Sequence, residues 1–339
     1  MSTPQISIIL PTRNRLSTIK RTIEHVQAQT LTDWELIISD NASTDAGKVD
    51  YLRGLAAVDP RVKVHAQAEN IGIQANWSFC INQCAGKYYI PVTDDDWWGE
   101  ETYLASLLAM HDGRVGCVFP NFSMHILDTG EVTENALTAV YGGVTSRYEM
   151  CERLVADGKG MVLVGLFNLA VIPKQEIIRA IDNGLVISME MVGINRIVRE
   201  HDIRFCANAS YHHTVYGDNF ARGFGQDLQM RDRGIATFML LNDLRVAADK
   251  DPGYAQALAG QWKVAVQYCD LVARARALNN ESGHRFLREE KYQELKAEIK
   301  TLKSENKGLA RTVSQHDAAL SSPWRALRAW WRRRRKAVQ

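Results

Sequence analysis

The chain has 339 residues, of which 46% are hydrophobic and 24% are charged. This length is sufficient for one large hydrophobic core or two smaller ones, and the average charged and aromatic content excludes a wholly disordered chain. No apolar run reaches the roughly 18 residues of a membrane-spanning helix.

The N-terminal segment and the cysteines both indicate a cytoplasmic protein. Residues 1–12 contain only a short apolar run with no basic region before it, unlike a secretory signal peptide. The six cysteines are dispersed, and no Cys-x-x-Cys pair occurs. We therefore expect buried free thiols and neither a zinc site nor a disulfide framework.

The first part of the chain alternates strand-like and helix-like segments. Short apolar runs predict buried strands at 6–10, 35–39, 62–66 and 87–92. Residues 16–26 and 71–84 instead repeat apolar side chains at helical spacing. The alternation predicts right-handed crossovers and a mainly parallel sheet that is covered by helices on both faces.

Polar clusters follow three of the predicted strands. They are PTRN at 11–14, SDNASTD at 39–45 and TDDD at 93–96. In parallel α/β sheets, ligands bind at the carboxyl ends of the strands. We therefore expect the three clusters to line one crevice.

Beyond residue 115 the pattern is less regular. Residues 115–119 and 122–127 predict two strands, on either side of Pro120 and Asn121. From about residue 146 we expect helices to take over. The helical segments span 189–200, 226–247 and 254–278.

Residues 292–320 carry apolar side chains at alternating steps of three and four, a seam of about four heptads. This seam favours a coiled coil at 286–321 and hence a homo-oligomer. Asn306 on the seam and the nearby Gly308 weaken the pairing. A lone helix packed on its own domain is the alternative.

The last segment, residues 322–339, holds seven basic residues and no acidic ones, whereas the rest of the chain holds 34 basic against 39 acidic residues. Trp324, Leu327 and Trp331 fall on one helical face among the arginines. This arrangement favours an amphipathic helix on an anionic membrane surface. Nucleic-acid binding is the competing use of a basic run, and we expect no nucleic-acid partner.

Asp94, Asp95 and Asp96 are consecutive, behind an apolar run and ahead of two tryptophans. Adjacent carboxylates repel one another unless water or a cation compensates them. Mg²⁺ and Mn²⁺ prefer carboxylate oxygens and keep positions open for phosphate oxygens. The cluster therefore indicates a site for a divalent metal and a nucleotide, with a solvated acidic loop as the alternative.

Together with PTRN and ELIISDNASTD, the segment ENIGIQANWSFCINQCAGKYYIPVTDDDWW resembles family 2 glycosyltransferases of the GT-A fold. The resemblance covers residues 4–125 strongly and continues more loosely to about 225. It implies a Rossmann-like α/β domain, mainly parallel and flanked by helices, over residues 1–225. A helical extension at 226–285, the coiled coil at 286–321 and the basic membrane-surface helix at 322–339 would follow it.

The resemblance also implies a nucleotide site. Asp40 matches the position that accepts a hydrogen bond from the base of the donor, usually uracil, and Asn41 stands where the family often has a second acid. Pro11, Thr12 and Arg13 lie where the first-strand loop flanks the nucleotide.

By the same resemblance, Asp96 binds Mn²⁺ or Mg²⁺ and either Asp94 or Asp95 binds the ribose. The triple acid allows either register, so Asp94 is a second candidate metal ligand. His213 is the preferred further ligand and His212 the second choice, in a Tyr/His-rich loop that follows a strand.

The resemblance also implies that Glu190 is the candidate general base, the group that inversion requires to remove the proton of the acceptor hydroxyl. The family often has a Glu-Asp pair in this region, whereas Glu190 stands between Met189 and Met191. The alternative role for Glu190 is a carboxylate that interacts with the dipole at a helix start.

The sequence thus predicts metal-dependent, inverting transfer of a sugar from a nucleotide donor, with UDP expected, to a glycan or lipid-linked acceptor. The setting would be surface polysaccharide assembly at the inner face of the cell membrane. One alternative is a nucleotidyltransferase, but that class has a glycine-rich phosphate loop near the first strand, and PTRNRLSTIK has no glycine. The other is a non-catalytic sugar-binding scaffold, against which the intact triple acid counts.

Overall fold

The computed structural model describes residues 3–135, 146–156, 164–185, 189–215, 226–255 and 257–259. The chain divides into two units, residues 1–266 and 267–339, and all the described residues lie in the first. The predicted coiled coil, the basic tail helix and most of the helix predicted at 254–278 lie outside the described residues.

Strands and helices alternate as far as residue 91 and less regularly beyond it. The strands are β1 (Ile6–Thr12), β2 (Trp34–Asp40), β3 (Val62–Ala66), β4 (Tyr88–Pro91), β5 (Trp97–Trp98), β6 (Cys117–Ile126), β7 (Glu131–Asn135), β8 (Leu166–Asn168) and β9 (Ile203–Val215). The helices are α1 (Leu16–Gln27), α2 (Lys48–Val58), α3 (Ile73–Gln83), α4 (Tyr103–Leu108), α5 (Arg147–Ala156), α6 (Lys174–Ile181), α7 (Met189–Glu200) and α8 (Gln226–Lys250), followed by a 3₁₀ turn at Pro252–Tyr254.

The strands form one mixed sheet in the order β3-β2-β1-β4-β8-β6-β9-β5, with β7 paired to β6. The first four strands in this order are parallel. β8 is antiparallel to both β4 and β6, and β9 is parallel to β6. The parallel half is as predicted, and it places the carboxyl ends of β1, β2 and β4 side by side.

The core packs on both faces of the sheet. Ile9 of β1 joins a cluster with Trp77 of α3, whereas the adjacent Ile8 joins a second cluster with Ile19 and Ile23 of α1. Successive strand residues point to opposite faces, so a strand that is covered on both sides needs a continuous apolar run. In the described part of the chain, the five cysteines present are buried and free, as expected.

The expectation of two strands at 115–119 and 122–127 is wrong, because these residues form the single strand β6. The register of β6 against β9 shifts between Pro120 and Asn121. Proline has no N–H to donate to a strand ladder and is tolerated at such a bulge. The sequence signal that suggested a strand end marks a local irregularity.

The helices expected at 189–200 and 226–247 are confirmed by α7 and α8. The expectation that helices alone take over after residue 146 is wrong, since β8 and β9 also lie in this region. β8 has three residues, too few for apolar periodicity to reveal. β9 continues to Val215, so Tyr211, His212 and His213 lie within a strand and not in a loop.

Glu35 is a buried carboxylate at the start of β2, at the opposite end of the strand from Asp40. Its Oε1 accepts hydrogen bonds from Ser7 Oγ at 2.5 Å and from Ala85 N at 2.7 Å, and its Oε2 accepts one from Lys63 Nζ at 2.5 Å. Burial alone would raise the pKa of Glu35, but the hydrogen bonds from Lys63 and Ser7 outweigh it and lower the pKa below its ordinary value.

We expect Glu35→Gln to flatten the acid dependence of stability. A carboxyl group whose pKa is lower in the folded state contributes stability above its unfolded pKa, and this contribution is lost as the pH falls through the folded pKa. Urea unfolding at pH 7 should show a loss of about 1–3 kcal/mol in the variant. The difference from the wild type should shrink below pH 4.5, the ordinary value. A difference that stays constant between pH 7 and pH 3.5 would contradict this account.

Candidate active site

The loops that follow β1 and β2 are joined by hydrogen bonds. Asn14 N donates to Ser43 Oγ at 2.8 Å, and Thr44 N donates to Asn14 Oδ1 at 2.7 Å. Leu16 N, at the start of α1, donates to Asp45 Oδ2 at 3.0 Å. Asp45, in the loop after β2, therefore accepts a hydrogen bond from one of the otherwise unpaired N–H groups at the start of α1, the helix that follows the β1 loop.

Asp40 lies at the floor of these loops, with its side chain only 1% exposed. Its Oδ1 accepts a hydrogen bond from Ser43 Oγ at 2.5 Å, and its Oδ2 accepts one from Ser43 N at 3.0 Å. Lys48 Nζ lies 3.3 Å from Oδ1. Lys48 was not identified from the sequence, although it lies only three residues beyond the polar cluster at 39–45.

Asn41 stands where the family often has a second acid, and its hydrogen bonds require an amide at this position. Its side chain is buried, and its Nδ2 donates to Asn70 Oδ1 at 2.9 Å and to Gly72 O at 3.3 Å. Its Oδ1 accepts a hydrogen bond from Ile71 N at 2.8 Å. Only an amide provides both the donors and the acceptor, so Asn41 fixes the loop that leads into α3.

Asp94 is brought to the first-strand loop, as expected. Its Oδ2 accepts a short hydrogen bond from Thr12 Oγ1, and the backbone of Arg13 also hydrogen-bonds this carboxylate. Burial raises the pKa of Asp94, although the Thr12 hydrogen bond and the charge of Lys48 oppose the shift. Pro11 precedes these residues on β1, paired with Ser39, and the Arg13 side chain is exposed.

Asp95 is held through its backbone. Its carbonyl oxygen accepts hydrogen bonds from Arg21 Nη2 at 2.9 Å and from Thr214 Oγ1 at 2.7 Å, and Arg15 Nη1 lies 3.5 Å from its carboxylate. Burial and the charges of Asp96 and Asp94 raise the pKa of Asp95 to about 7. Arg21 was not identified from the sequence, because a lone arginine in a helical pattern resembles a solvated surface residue.

Asp96 is fully buried and accepts hydrogen bonds at both oxygens. Thr214 N donates to Oδ1 at 2.8 Å, whereas Tyr211 OH at 2.8 Å, His213 Nδ1 at 3.0 Å and, more closely, Thr93 Oγ1 contact Oδ2. Burial would raise the pKa of Asp96, but the charge of His213 and these hydrogen bonds lower it.

His213 faces Asp96 because of the alternation along β9. Burial lowers the pKa of His213, but the charge of Asp96 outweighs it and raises the pKa to about 8. The neighbouring His212 points to the other face of the strand. There it stacks on Trp97 with ring centroids 5.1 Å apart, and its Nδ1 lies 2.9 Å from His125 Nε2. The structure thus brings His213 to Asp96 and does not bring His212 there.

The donor set of Asp96 and His213 is compatible with a divalent cation. The 3.0 Å contact between His213 Nδ1 and Asp96 Oδ2 is a hydrogen bond, and a metal ion held by both groups would take the place of its proton. Imidazole and carboxylate both suit Mn²⁺. Within the described ranges, no group of three or more His, Cys, Asp or Glu side chains has a metal-binding arrangement.

Glu190 lies in the first turn of α7 and is half-buried. Its charge contributes to raising the pKa values of His213 and of Tyr89 on β4. Glu190 therefore belongs to the same region as the Asp96–His213 pair. Its position at a helix N-terminus is also favourable for a negative charge, so both roles considered for it remain compatible with its location.

A comparison with models of protein families finds a match over the first part of the chain. Residues 7–161 match the model for glycosyl transferase family 2. This part of the chain is therefore similar to family 2 glycosyltransferases. The matched range contains both strand-end loops and all three consecutive aspartates, whereas Glu190 and His213 lie beyond it.

Curated relatives of the family 2 domain include two bacterial enzymes. The chain is 32% identical over 94 residues to the GalNAc(5)-diNAcBac-PP-undecaprenol beta-1,3-glucosyltransferase of Campylobacter jejuni. These residues are 27% of this chain and 30% of the relative. It is 26% identical over 220 residues to the chondroitin synthase of Escherichia coli, which covers 64% of this chain and 30% of the relative. Other curated relatives are covered over 13% to 49% of their length, so the chain spans less than half of each.

Solved structures confirm the GT-A fold predicted for this domain. The S. aureus TarS fragment 1–349, determined in complex with UDP-GlcNAc, superposes with a TM-score of 0.57 at 16% identity. The superposition covers 76% of this chain and 73% of the TarS fragment. Among the helices described here, none has both the length and the apolar character that crossing a bilayer would require.

We expect Asn41→Asp to lower the free energy of unfolding by about 1–3 kcal/mol, because the two donated hydrogen bonds are lost and buried acceptors face one another. Asn70→Asp is the matched control. Asn70 only accepts through Oδ1, from Asn41 Nδ2 and from Gly72 N, and an aspartate there keeps both contacts. Urea unfolding should show a loss for Asn41→Asp that clearly exceeds the loss for Asn70→Asp. Equal losses would contradict this role of Asn41.

Proposed function

We propose that the protein transfers a sugar, with inversion at the anomeric carbon, from a nucleotide-diphosphate donor to a hydroxyl group of a glycan acceptor. The observation that carries this proposal is the contact between Asp96 and His213 at the carboxyl edge of the sheet. Asp94 and Asp40 lie at the adjacent strand ends, and Glu190 lies in the same region.

On the donor side, the chain supplies acceptors for the nucleoside. Asp40, at the end of β2, accepts a hydrogen bond from the base, for which we propose uracil, and TarS, which shares the fold, binds UDP-GlcNAc. Asp94 or Asp95 accepts from the ribose, and Pro11, Thr12 and the backbone of Arg13 flank the nucleotide.

Asp96 and His213 would hold Mn²⁺ or Mg²⁺, which stabilises the negative charge that develops on a leaving nucleoside diphosphate. The hydrogen bonds from Tyr211 and Thr214 orient Asp96 for this task. Asp94 is the second candidate ligand.

Glu190 would accept the proton of the attacking acceptor hydroxyl. Removing a general base costs about 10²- to 10⁴-fold in rate. Because Glu190 does not touch the nucleoside in this proposal, its removal should lower kcat while the affinity for the donor is retained.

A comparison of three variants tests the catalytic assignment. With UDP-sugars and Mn²⁺, we expect Glu190→Gln to lower kcat at least 100-fold at unchanged donor affinity, within the range of about 10²–10⁴ for a lost base. Asp96→Asn should lower both kcat and donor affinity. Glu176→Gln is the matched control, because Glu176 also lies in the first turn of a helix, α6, and contacts His201. It should behave like the wild type.

Release of nucleotide at the same rate by the wild type, Glu190→Gln and Asp96→Asn would contradict the proposed activity. That outcome would favour the non-catalytic scaffold. Transfer of a nucleotidyl group from UTP to a sugar phosphate, with release of pyrophosphate, would instead favour the nucleotidyltransferase.

For the acceptor, we propose a growing glycan on a lipid carrier, as the name of the Campylobacter relative describes for that enzyme. The basic segment 322–339 would place the enzyme at the inner face of the membrane. We also propose that the chain consists of a catalytic domain at 1–225, a helical extension at 226–285 and an oligomerising coiled coil at 286–321, followed by this basic segment.

Liposome co-sedimentation tests the membrane proposal. The full chain should sediment with vesicles that contain phosphatidylglycerol, and a chain ending at Ser322 should remain in the supernatant, because each basic residue near an anionic surface contributes about 1 kcal/mol. Binding should weaken in high salt. A full-length chain with Arg332–Arg335 replaced by glutamine is the matched control, because it removes basic charge without shortening the chain. Equal sedimentation of the full and shortened chains would remove the proposal.

A further inference from the structure

Lys48 is a buried cation in the wall of the nucleotide site. Its side chain is 0% exposed, and it is among the largest fully buried side chains in the described part of the chain. Burying a lysine ammonium costs several kcal/mol unless polar partners compensate it. The partners of Lys48 therefore indicate which contacts its burial serves.

The position of Lys48 in its helix adds to this cost. It is the first residue of α2, next to Gly47, which has a left-handed backbone with φ of 75°. The N-terminus of a helix carries a partial positive charge, so a cation there is unfavourable. The helix dipole does not account for a lysine at this position, and a residue that violates a local rule is expected mainly at functional sites.

Each hydrogen of the ammonium group has an oxygen partner. Lys48 Nζ donates to Thr12 Oγ1 at 2.7 Å and to Ser43 Oγ at 3.1 Å, and it lies 3.3 Å from Asp40 Oδ1. These partners come from the ends of β1 and β2. Lys48 thus joins two strand ends at the point where the base is proposed to bind.

Through Thr12, the contacts of Lys48 reach Asp94, which follows the end of β4. Thr12 accepts from Lys48, and its hydroxyl proton is therefore directed to Asp94 Oδ2, to which it donates. The charge of Lys48 also acts on Asp94 and opposes the effect of burial on the pKa of that carboxyl. One cation therefore orders Asp40 directly and Asp94 through a single hydroxyl group.

We propose that Lys48 is a positioning residue that holds Asp40 and Asp94 as oriented hydrogen-bond acceptors for the base and ribose of the donor before the nucleotide binds. This inference rests on the proposed function, which assigns those two acids to the nucleoside. Preorganised acceptors reduce the cost of ordering side chains on binding. With Asp94 assigned to the ribose and Asp96 to the metal, the contribution of Lys48 belongs to the nucleoside and is independent of the metal and of the second phosphate.

The Lys63–Glu35 pair provides a matched comparison. It also joins a lysine to a carboxylate of β2, but at the other end of the strand, and Lys63 is 48% exposed. Lys63→Met removes a lysine–carboxylate contact that lies away from the proposed site. A general effect of breaking an ion pair on β2 would appear in both variants.

The test is titration calorimetry of the full chain with UDP and with UMP, each in EDTA and in Mn²⁺. We expect Lys48→Met to weaken the binding of UMP and UDP by the same factor, at least tenfold. The ratio of UDP affinities with and without Mn²⁺ should stay at its wild-type value. Lys63→Met should bind both nucleotides within twofold of the wild type. Circular dichroism would verify that each variant is folded.

Thr12→Val keeps the test decisive if Lys48→Met does not fold. Valine has the shape of threonine and suits a strand, but it removes the hydroxyl that links Lys48 to Asp94. We expect at least a threefold loss for both nucleotides, again with an unchanged effect of Mn²⁺.

Two results would overturn the inference while leaving the proposed function intact. One is nucleotide affinity in Lys48→Met and Thr12→Val within twofold of Lys63→Met. The other is a loss that appears only for UDP in Mn²⁺, because it would assign Lys48 to the diphosphate. A wild-type protein that binds neither nucleotide in Mn²⁺ would overturn the proposed function itself, and the inference with it.

Discussion

The structure depends on the compensation of carboxylates that are crowded at one edge of the sheet. Asp40, Asp94 and Asp96 lie at the ends of neighbouring elements and are wholly or largely removed from water. Each has its own donors, with Lys48 beside Asp40, Thr12 beside Asp94 and His213 beside Asp96. Uncompensated burial of a single carboxylate would cost several kcal/mol, so these donors determine how the loops fold.

The topology of the sheet places these groups together. Because β1, β2 and β4 are adjacent and parallel, their carboxyl ends meet, and hydrogen bonds between the loops fix them. β9 runs beside β6 and pairs with β5, which brings Tyr211, His213 and Thr214 onto Asp96 from more than a hundred residues along the chain. Strand pairing therefore positions Thr12, Asp40 and His213 of the site.

The sequence predicted the parallel half of the fold and its strand-end clusters, because continuous apolar runs and turn residues are local signals. It also selected Asp40, Asp94, Asp96 and His213, which the structure places at one edge. Lys48 and Arg21 were missed, since a lysine or an arginine at the start or on the face of a helix resembles a solvated residue until its partners are known. β8 was missed because three residues show no period, and β6 was divided because Pro120 resembles a strand end.

The central claim is that these compensated acids accept a divalent cation and a nucleoside diphosphate together. Electron paramagnetic resonance of free Mn²⁺ during titration with the full chain, with and without UDP, tests it most directly. The account predicts uptake of one Mn²⁺ per chain that strengthens markedly when UDP is present, and loss of that UDP-dependent uptake in His213→Ala. Uptake that is independent of UDP, or equal in the wild type and His213→Ala, would contradict it.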